Sequence, residues 1–174
     1  EWFCSADDLF HILDIPEGLV LHLGCGNSNL SVELSKRGVT TLNVDYSRVG
    51  LEEIASRKEG TARSEFLESD ALRLPLRKGV CTSAIDKGLI DAMMTRDDDE
   101  TKQRCRSLFS EVAHSLQAGS RFYVVSLGQE HILALFADVL EQDHSAWSTV
   151  SVTSIQPKKC HSPLQPFLFL FQIL

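Results

Sequence analysis

Apolar and polar positions along this chain switch period in short, regular bursts. Leu19 to Leu23 is an apolar run of strand length that halts at Gly24-Cys25-Gly26. The pattern then reopens as Leu30, Val32 and Leu34, a helix over Leu30 to Lys36 stopped by Gly38. The same unit recurs. A strand over Thr41 to Asp45 precedes a helix over Leu51 to Arg57, and a brief strand over Ser64 to Glu68 ends at Ser69-Asp70-Ala71. Val80 to Asp86 reads as a fourth strand, and a long helix follows over Thr101 to Leu116, with Leu108, Val112 and Leu116 on one face and Gly119 closing it. Arg121 to Leu127 is a fifth strand and Ile132 to Leu140 the next helix. At the front, Ser5-Ala6-Asp7-Asp8 resembles a capping box, with Asp in place of Glu, opening a short helix through Leu13.

Two strand-like runs, Trp147 to Ile155 and Phe167 to Leu174, end the chain, with Pro157, Pro163 and Pro166 between them. No helix separates them, so they are expected to pair antiparallel at one edge. The whole order predicts an α/β fold: a doubly wound, mainly parallel sheet of seven strands with helices on both faces. No internal repeat, linker or low-complexity tract divides residues 1–174, which reads as a single domain.

The chemistry gathers where strands turn into helices. Gly24 and Gly26 permit backbone torsions that a β-carbon would oppose, and they let a ligand lie against bare main chain. The first helical N–H groups point at whatever fills the turn. A dinucleotide site wants a third glycine three residues on, and Ser28-Asn29-Leu30 supplies none. A phosphate loop wants Gly-Lys-Ser/Thr, which is also absent. Asp45 ends the second strand about twenty residues past the turn, suited to accept hydrogen bonds from two ribose hydroxyls; a cap for the following helix is the competing role. Tyr46 beside it offers an aromatic face for a base. Asp86 and Lys87 end the fourth strand, either at a ligand site or as an exposed charge pair.

Composition narrows the partners. A net charge of −7 argues against nucleic acid, which needs a basic face. No apolar run has the length of a membrane span, Phe167 to Leu174 included. The chain opens on Glu rather than methionine, without a signal-peptide pattern, and is expected to be a fragment lacking an N-terminal segment. Five cysteines form no Cys-x-x-Cys pair; Cys25 and Cys81 sit among apolar residues as small buried thiols, pointing to a reducing, cytoplasmic compartment. The six histidines, among them His131, His144 and His161, are scattered and give no metal signature. His22 on its apolar strand reads as a core residue rather than a base. The acidic run Asp97-Asp98-Asp99-Glu100 reads as a solvated cap for the helix at Thr101, with attraction of a basic protein segment as the alternative.

With these residues in place the chain resembles the seven-stranded, Rossmann-like S-adenosylmethionine (SAM) methyltransferases. More narrowly it is similar to the eukaryotic methyltransferase-like enzymes that modify lysines of translation elongation factor one-alpha. The matching pieces are Glu1-Trp2-Phe3, Gly24-Cys-Gly-Asn-Ser28, Val44-Asp-Tyr-Ser47, Asp86-Lys-Gly88 with Asp91-Ala92, Leu116-Gln-Ala-Gly119 with Arg121-Phe122, and Gln129-Glu-His-Ile132. They span essentially the whole chain.

The resemblance implies a strand order 3-2-1-4-5-7-6 and SAM as cofactor, with S-adenosylhomocysteine (SAH) as its product. It puts Trp2, Gly24, Cys25, Gly26 and Asn27 at the cofactor, with Gly24 and Gly26 under the methionine part. Asp45 would hold the ribose, Tyr46 would pack near the adenine, and Asp70 would face the adenine amino group beside the Ala71 amide. Asp86 and Lys87 would lie near the methyl group, and Asp86 with Asp91 would guide the acceptor as catalytic residues. The family run Asp-Lys-Gly-Thr-Leu-Asp is Asp86-Lys-Gly-Leu-Ile-Asp91 here, so Leu89 replaces a hydroxyl.

The implied function is methyl transfer to a protein lysine, with elongation factor one-alpha as a candidate partner. A lysine, with its ordinary pKa near ~10.4, must lose a proton before it attacks. A small-molecule methyltransferase would share every cofactor residue, and a non-catalytic SAM-binding module is the second alternative.

Overall fold

The computed structural model describes residues 2–57, 61–143, 146–157 and 164–174. Among them seven strands form one sheet: β1 Leu19–Leu23, β2 Thr40–Asp45, β3 Ser64–Glu68, β4 Cys81–Lys87, β5 Leu116–Ser126, β6 Trp147–Ser154 and β7 Phe167–Ile173. Their order is β3-β2-β1-β4-β5-β7-β6, as expected. Strands β1 to β5 run parallel, and β7 pairs antiparallel with both β5 and β6. Six helices accompany the described strands: α1 Ala6–Leu9, α2 Leu30–Lys36, α3 Arg48–Ala55, α4 Leu89–Met93, α5 Asp99–Ser115 and α6 Glu130–Gln142.

Alternate residues along each central strand feed opposite faces, which is why these strands read as continuous apolar runs. Leu21, Ala84, Phe122 and Val124 join Leu108, Phe109 and Val112 of α5 with Leu135 and Phe136 of α6. Their neighbours Val20, Ile85, Tyr123 and Val125 face the other way, onto Leu9, Leu30 and Leu34. On the first face Phe109 meets Phe122, Phe136, Trp147 and Phe171 edge to face, with centroids 5.4 to 6.1 Å apart. Such aromatic contacts add about 0.5–1.5 kcal/mol each beyond burial.

Local chemistry fixes the element ends. The capping box is present: the Ser5 side chain accepts from Asp8 N–H, and Asp8 accepts from Ser5 N–H at 2.9 Å. The helix it opens stops at Leu9, however, four residues before the expected Leu13. Helix α3 starts three residues before the expected Leu51, because the Ser47 hydroxyl caps Gly50 N–H. Helix α5 ends at Ser115 because Leu116 is already extended (ψ 148°) and pairs with Cys81. Gly119 therefore does not close the helix. At φ +77° it turns an excursion within β5, where residues 117–120 stand opposite Thr82 alone before Arg121 meets Ser83.

The four described cysteines, Cys4, Cys25, Cys81 and Cys105, are free and buried. Burial pushes the Cys25 thiol to about 12 and the Cys81 thiol to about 11. Glu1, His144, His161 and Pro163 lie outside the described residues. No helix of the described residues is long and apolar enough to cross a membrane.

Candidate active site

The carboxyl ends of β1, β2 and β3 meet around one cleft, the place where open α/β sheets hold ligands. The β1 run ends in a turn in which Gly24 (φ +55°) and Gly26 (φ +51°) both take the left-handed conformation. A β-carbon on Gly24 would stand 2.9 Å from the Leu89 side chain, so that glycine is demanded by α4 as much as by any ligand. A β-carbon on Gly26 would meet nothing within 4 Å. The turn is tied to β2 through Cys25 N–H to Val44 C=O at 3.2 Å.

Asp45 is the second tie. One carboxylate oxygen accepts from Gly26 N–H at 2.7 Å and the other from Ser47 N–H at 2.8 Å. The cap of α3 is Ser47, so Asp45 is not that helix's cap, although only 7% of it is exposed. A carboxylate offers about four lone-pair positions, so two remain for a ligand's hydroxyls. The loop after β3 is bound to the same strand by Ser69 N–H to Asp45 C=O at 3.0 Å, and Asp70 accepts from Leu72 N–H at 2.9 Å.

The cleft so formed has about 400 Å³ of empty volume, its open mouth included. It brings together Gly24, Asp45, Tyr46, Asp70 and Ala71, five of the expected cofactor residues. Tyr46 lies at the outer edge, 81% exposed. Cys25 and Asn27 are not among the lining residues. The Cys25 side chain is in the core with Val32, Leu51 and Ile54, and Asn27 is held at the surface by Glu53 and Arg57.

Trp2, Asp86, Lys87 and Asp91 form a second group at the ends of β4 and β5. Asp86 and Lys87 are buried rather than an exposed charge pair. Both Asp86 oxygens accept from the start of α4, Leu89 N–H at 2.6 Å and Ile90 N–H at 3.0 Å. Burial pushes its carboxyl up to about 7, and those two hydrogen bonds pull the other way. Lys87 donates to the Trp2 carbonyl at 2.9 Å, and the Phe3 and Trp2 rings close over Gly88. Asp91 accepts from Leu127 N–H at 3.0 Å, and its other oxygen is buried with no hydrogen-bond partner within ordinary distance among the described residues. Burial raises the Asp91 carboxyl too, while the Ser126 side chain stands near enough to lower its pKa.

His22 belongs to neither group. Its Nδ1 meets Ser31 Oγ at 2.8 Å inside a buried network that continues through Asn43 to Thr41. His131 donates from Nε2 to the Met94 carbonyl at 3.0 Å. In the acidic run, Asp98 caps α5 at Thr101, whose side chain and then N–H lower its pKa, and Asp97 pairs with Lys102 at 2.7 Å.

Leu89, expected only as a residue in place of a hydroxyl, lines the cleft with Met93 and Arg104, which were not anticipated. A five-residue helix is too short to show a period, which hides the first two. Arg104 had a signal. It stands one i−4 step before Leu108 and Val112, a charge where the apolar stripe should continue.

A model of the methyltransferase domain matches residues 21–124. The chain is 33% identical over 147 residues to the eEF1A lysine and N-terminal methyltransferase homolog of Drosophila pseudoobscura pseudoobscura, covering 80% of this chain and 22% of that protein. It is 30% identical to the EEF1A lysine methyltransferase 4 of Mus musculus, covering 75% and 55%. The chain thus spans about a fifth of the first of these relatives. Among solved structures, a SAM-dependent methyltransferase from Methanosarcina mazei superposes with a TM-score of 0.74 at 14% identity, over 95% of this chain and 97% of that one. Magnesium protoporphyrin IX methyltransferase from Synechocystis, with bound SAM, gives 0.72 at 16%, over 96% and 75%. At such identities the likeness is one of fold.

Proposed function

The chain belongs to the methyltransferase-domain family of SAM-dependent enzymes, and on that premise we propose that it methylates a lysine of a protein substrate resembling elongation factor one-alpha. The observation that carries the cofactor reading is the cleft that gathers Gly24, Asp45, Tyr46, Asp70 and Ala71. Its lining fits the group: two carboxylates to accept from ribose hydroxyls and an adenine amino group, a glycine turn open at Gly26, and an exposed aromatic face. The lysine reading rests on the relatives named for that activity, and a cytoplasmic site of action goes with it.

When bound, SAM supplies a methyl group on a sulfonium, open to in-line displacement by an amine lone pair. The protein's part is positioning and the exclusion of water. Asp45 holds the ribose and the glycine turn with one carboxylate. Asp86 works through α4: by anchoring the Leu89 and Ile90 amides it sets the height of Leu89 and Met93 along the cleft. Lys87 keeps the Trp2–Phe3 segment over Gly88. Asp91, beside the ends of β4 and β5, is assigned to guide the acceptor ammonium and receive its proton. Its raised pKa suits it to that exchange.

Incubating the protein with methyl-labelled SAM and host-cell lysate tests this. A labelled protein band, with the label on lysine, is expected. Label confined to small molecules would mean a different acceptor, and SAH binding without any transfer would mean a binding module.

A further inference from the structure

The motif Gln129-Glu130-His131-Ile132 opens α6, and none of its residues lines the cofactor cleft. Ile132 faces the core with Leu135, Phe136 and Val139, which fixes α6 against the sheet. His131, one residue earlier, is half-buried, and its Nε2 lies 3.0 Å from the Met94 carbonyl. A carbonyl only accepts, so Nε2 carries a proton and the neutral ring is the Nε2–H tautomer. Burial raises the Asp91 carboxyl, and the His131 charge is near enough to pull it back, so the ring stands close to α4 at a second point.

We propose that His131 is a positioning residue for the cofactor: by holding the Met94 carbonyl it keeps Met93 in the cleft wall. The inference rests on the SAM reading of the cleft. Helix α4 has five residues, with Ile90 buried, and a helix so short does not persist on its own hydrogen bonds. It is held from outside. Asp86 takes the amides of Leu89 and Ile90, and Asp91 ties the middle of the helix to Leu127 N–H. The carboxyl end is left with carbonyls that the helix cannot pair internally, and His131 takes the one on Met94. Met93, the residue before, lines the cleft with Leu89. His131 thus does at the end of α4 what Asp86 does at its start, and it does so from an element that the core fixes independently.

Calorimetry with SAH and nitrogen NMR of the ligand-free protein test this. His131→Phe keeps a ring without a donor and is expected to weaken SAH binding by about 3- to 10-fold, the worth of one hydrogen bond. His131→Gln, whose amide can reach the same carbonyl, is expected to restore most of the affinity. In a Met93→Ala background, His131→Phe is expected to cost little further. A lowered melting temperature with unchanged SAH affinity in His131→Phe, no recovery in His131→Gln, or full additivity with Met93→Ala would each overturn the proposal. The tautomer is read in the unaltered protein, whether or not the variants fold: Nε2–H is expected, and Nδ1–H would overturn the tie. Failure of the unaltered protein to bind SAH would instead overturn the SAM reading, while the Nε2–H tautomer would still be seen.

Discussion

The Asp45 carboxylate accepts the Gly26 amide proton across 2.7 Å, so the tip of β2 sets the shape of the turn that follows β1. Ligand contact and turn geometry are therefore one interaction. Asp45→Ala should weaken SAH binding by about 1–3 kcal/mol, because a polar ligand group and a backbone N–H both lose a charged acceptor. Thermal melting should fall in the same variant without ligand. Unchanged calorimetric affinity would contradict the assignment.

Leu89 packs where a Gly24 β-carbon would stand. Gly24→Ala should destabilise the fold by about 1–2 kcal/mol from its left-handed backbone alone, and by more through the clash. Adding Leu89→Ala should remove the clash but not the backbone cost. A double-mutant cycle in urea should thus show non-additivity; simple addition would mean that the two residues do not touch.

Asp86 binds its proton more tightly in the folded chain, with a pKa of about 7 against an ordinary 3.8. A raised carboxyl favours folding below about pH 4, and that contribution is lost as pH rises through about 7. Asp86→Asn does not titrate. The stability of the unaltered protein relative to this variant should therefore decline between about pH 4 and 8. An advantage that grows with pH would refute the sign.

Asp86→Asn also turns an amide donor toward the α4 N–H groups. By loosening α4 it should lower SAH affinity and methyl transfer together, each by about 10-fold, which is about 1.4 kcal/mol. Unchanged SAH affinity would mean that Asp86 does not set Leu89 and Met93 along the cleft.

Lys87 reaches the Trp2 carbonyl from the end of β4. Lys87→Ala should release the Trp2–Phe3 segment, seen as faster proteolysis near the N-terminus, and should weaken SAH binding. Protection equal to that of the unaltered chain would exclude this tie.

The strands were legible because a strand buried on two faces must be apolar throughout, as Leu19 to Leu23 is. The hairpin followed from Pro157 and Pro166 standing where a crossover helix would be needed. Less visible was whatever depends on crossings far apart in sequence. Leu89 reaches Gly24 only because β4 lies beside β1, and no local pattern encodes that approach. Asp45 and Ser47 compete for the same helix start, and composition cannot say which caps it. Gly119 looked like a stop signal because a left-handed glycine serves a helix end and a strand excursion equally well.

Strand β6 precedes β7 in the chain, yet it joins the sheet only through β7. During synthesis Trp147–Ser154 therefore has no edge to dock on until Phe167–Ile173 has left the ribosome and paired with β5. Until then Phe109 lacks Phe171 on its flank. Phe167–Ile173 closes the core, and a chain cut short before Phe167 forfeits two strands rather than one.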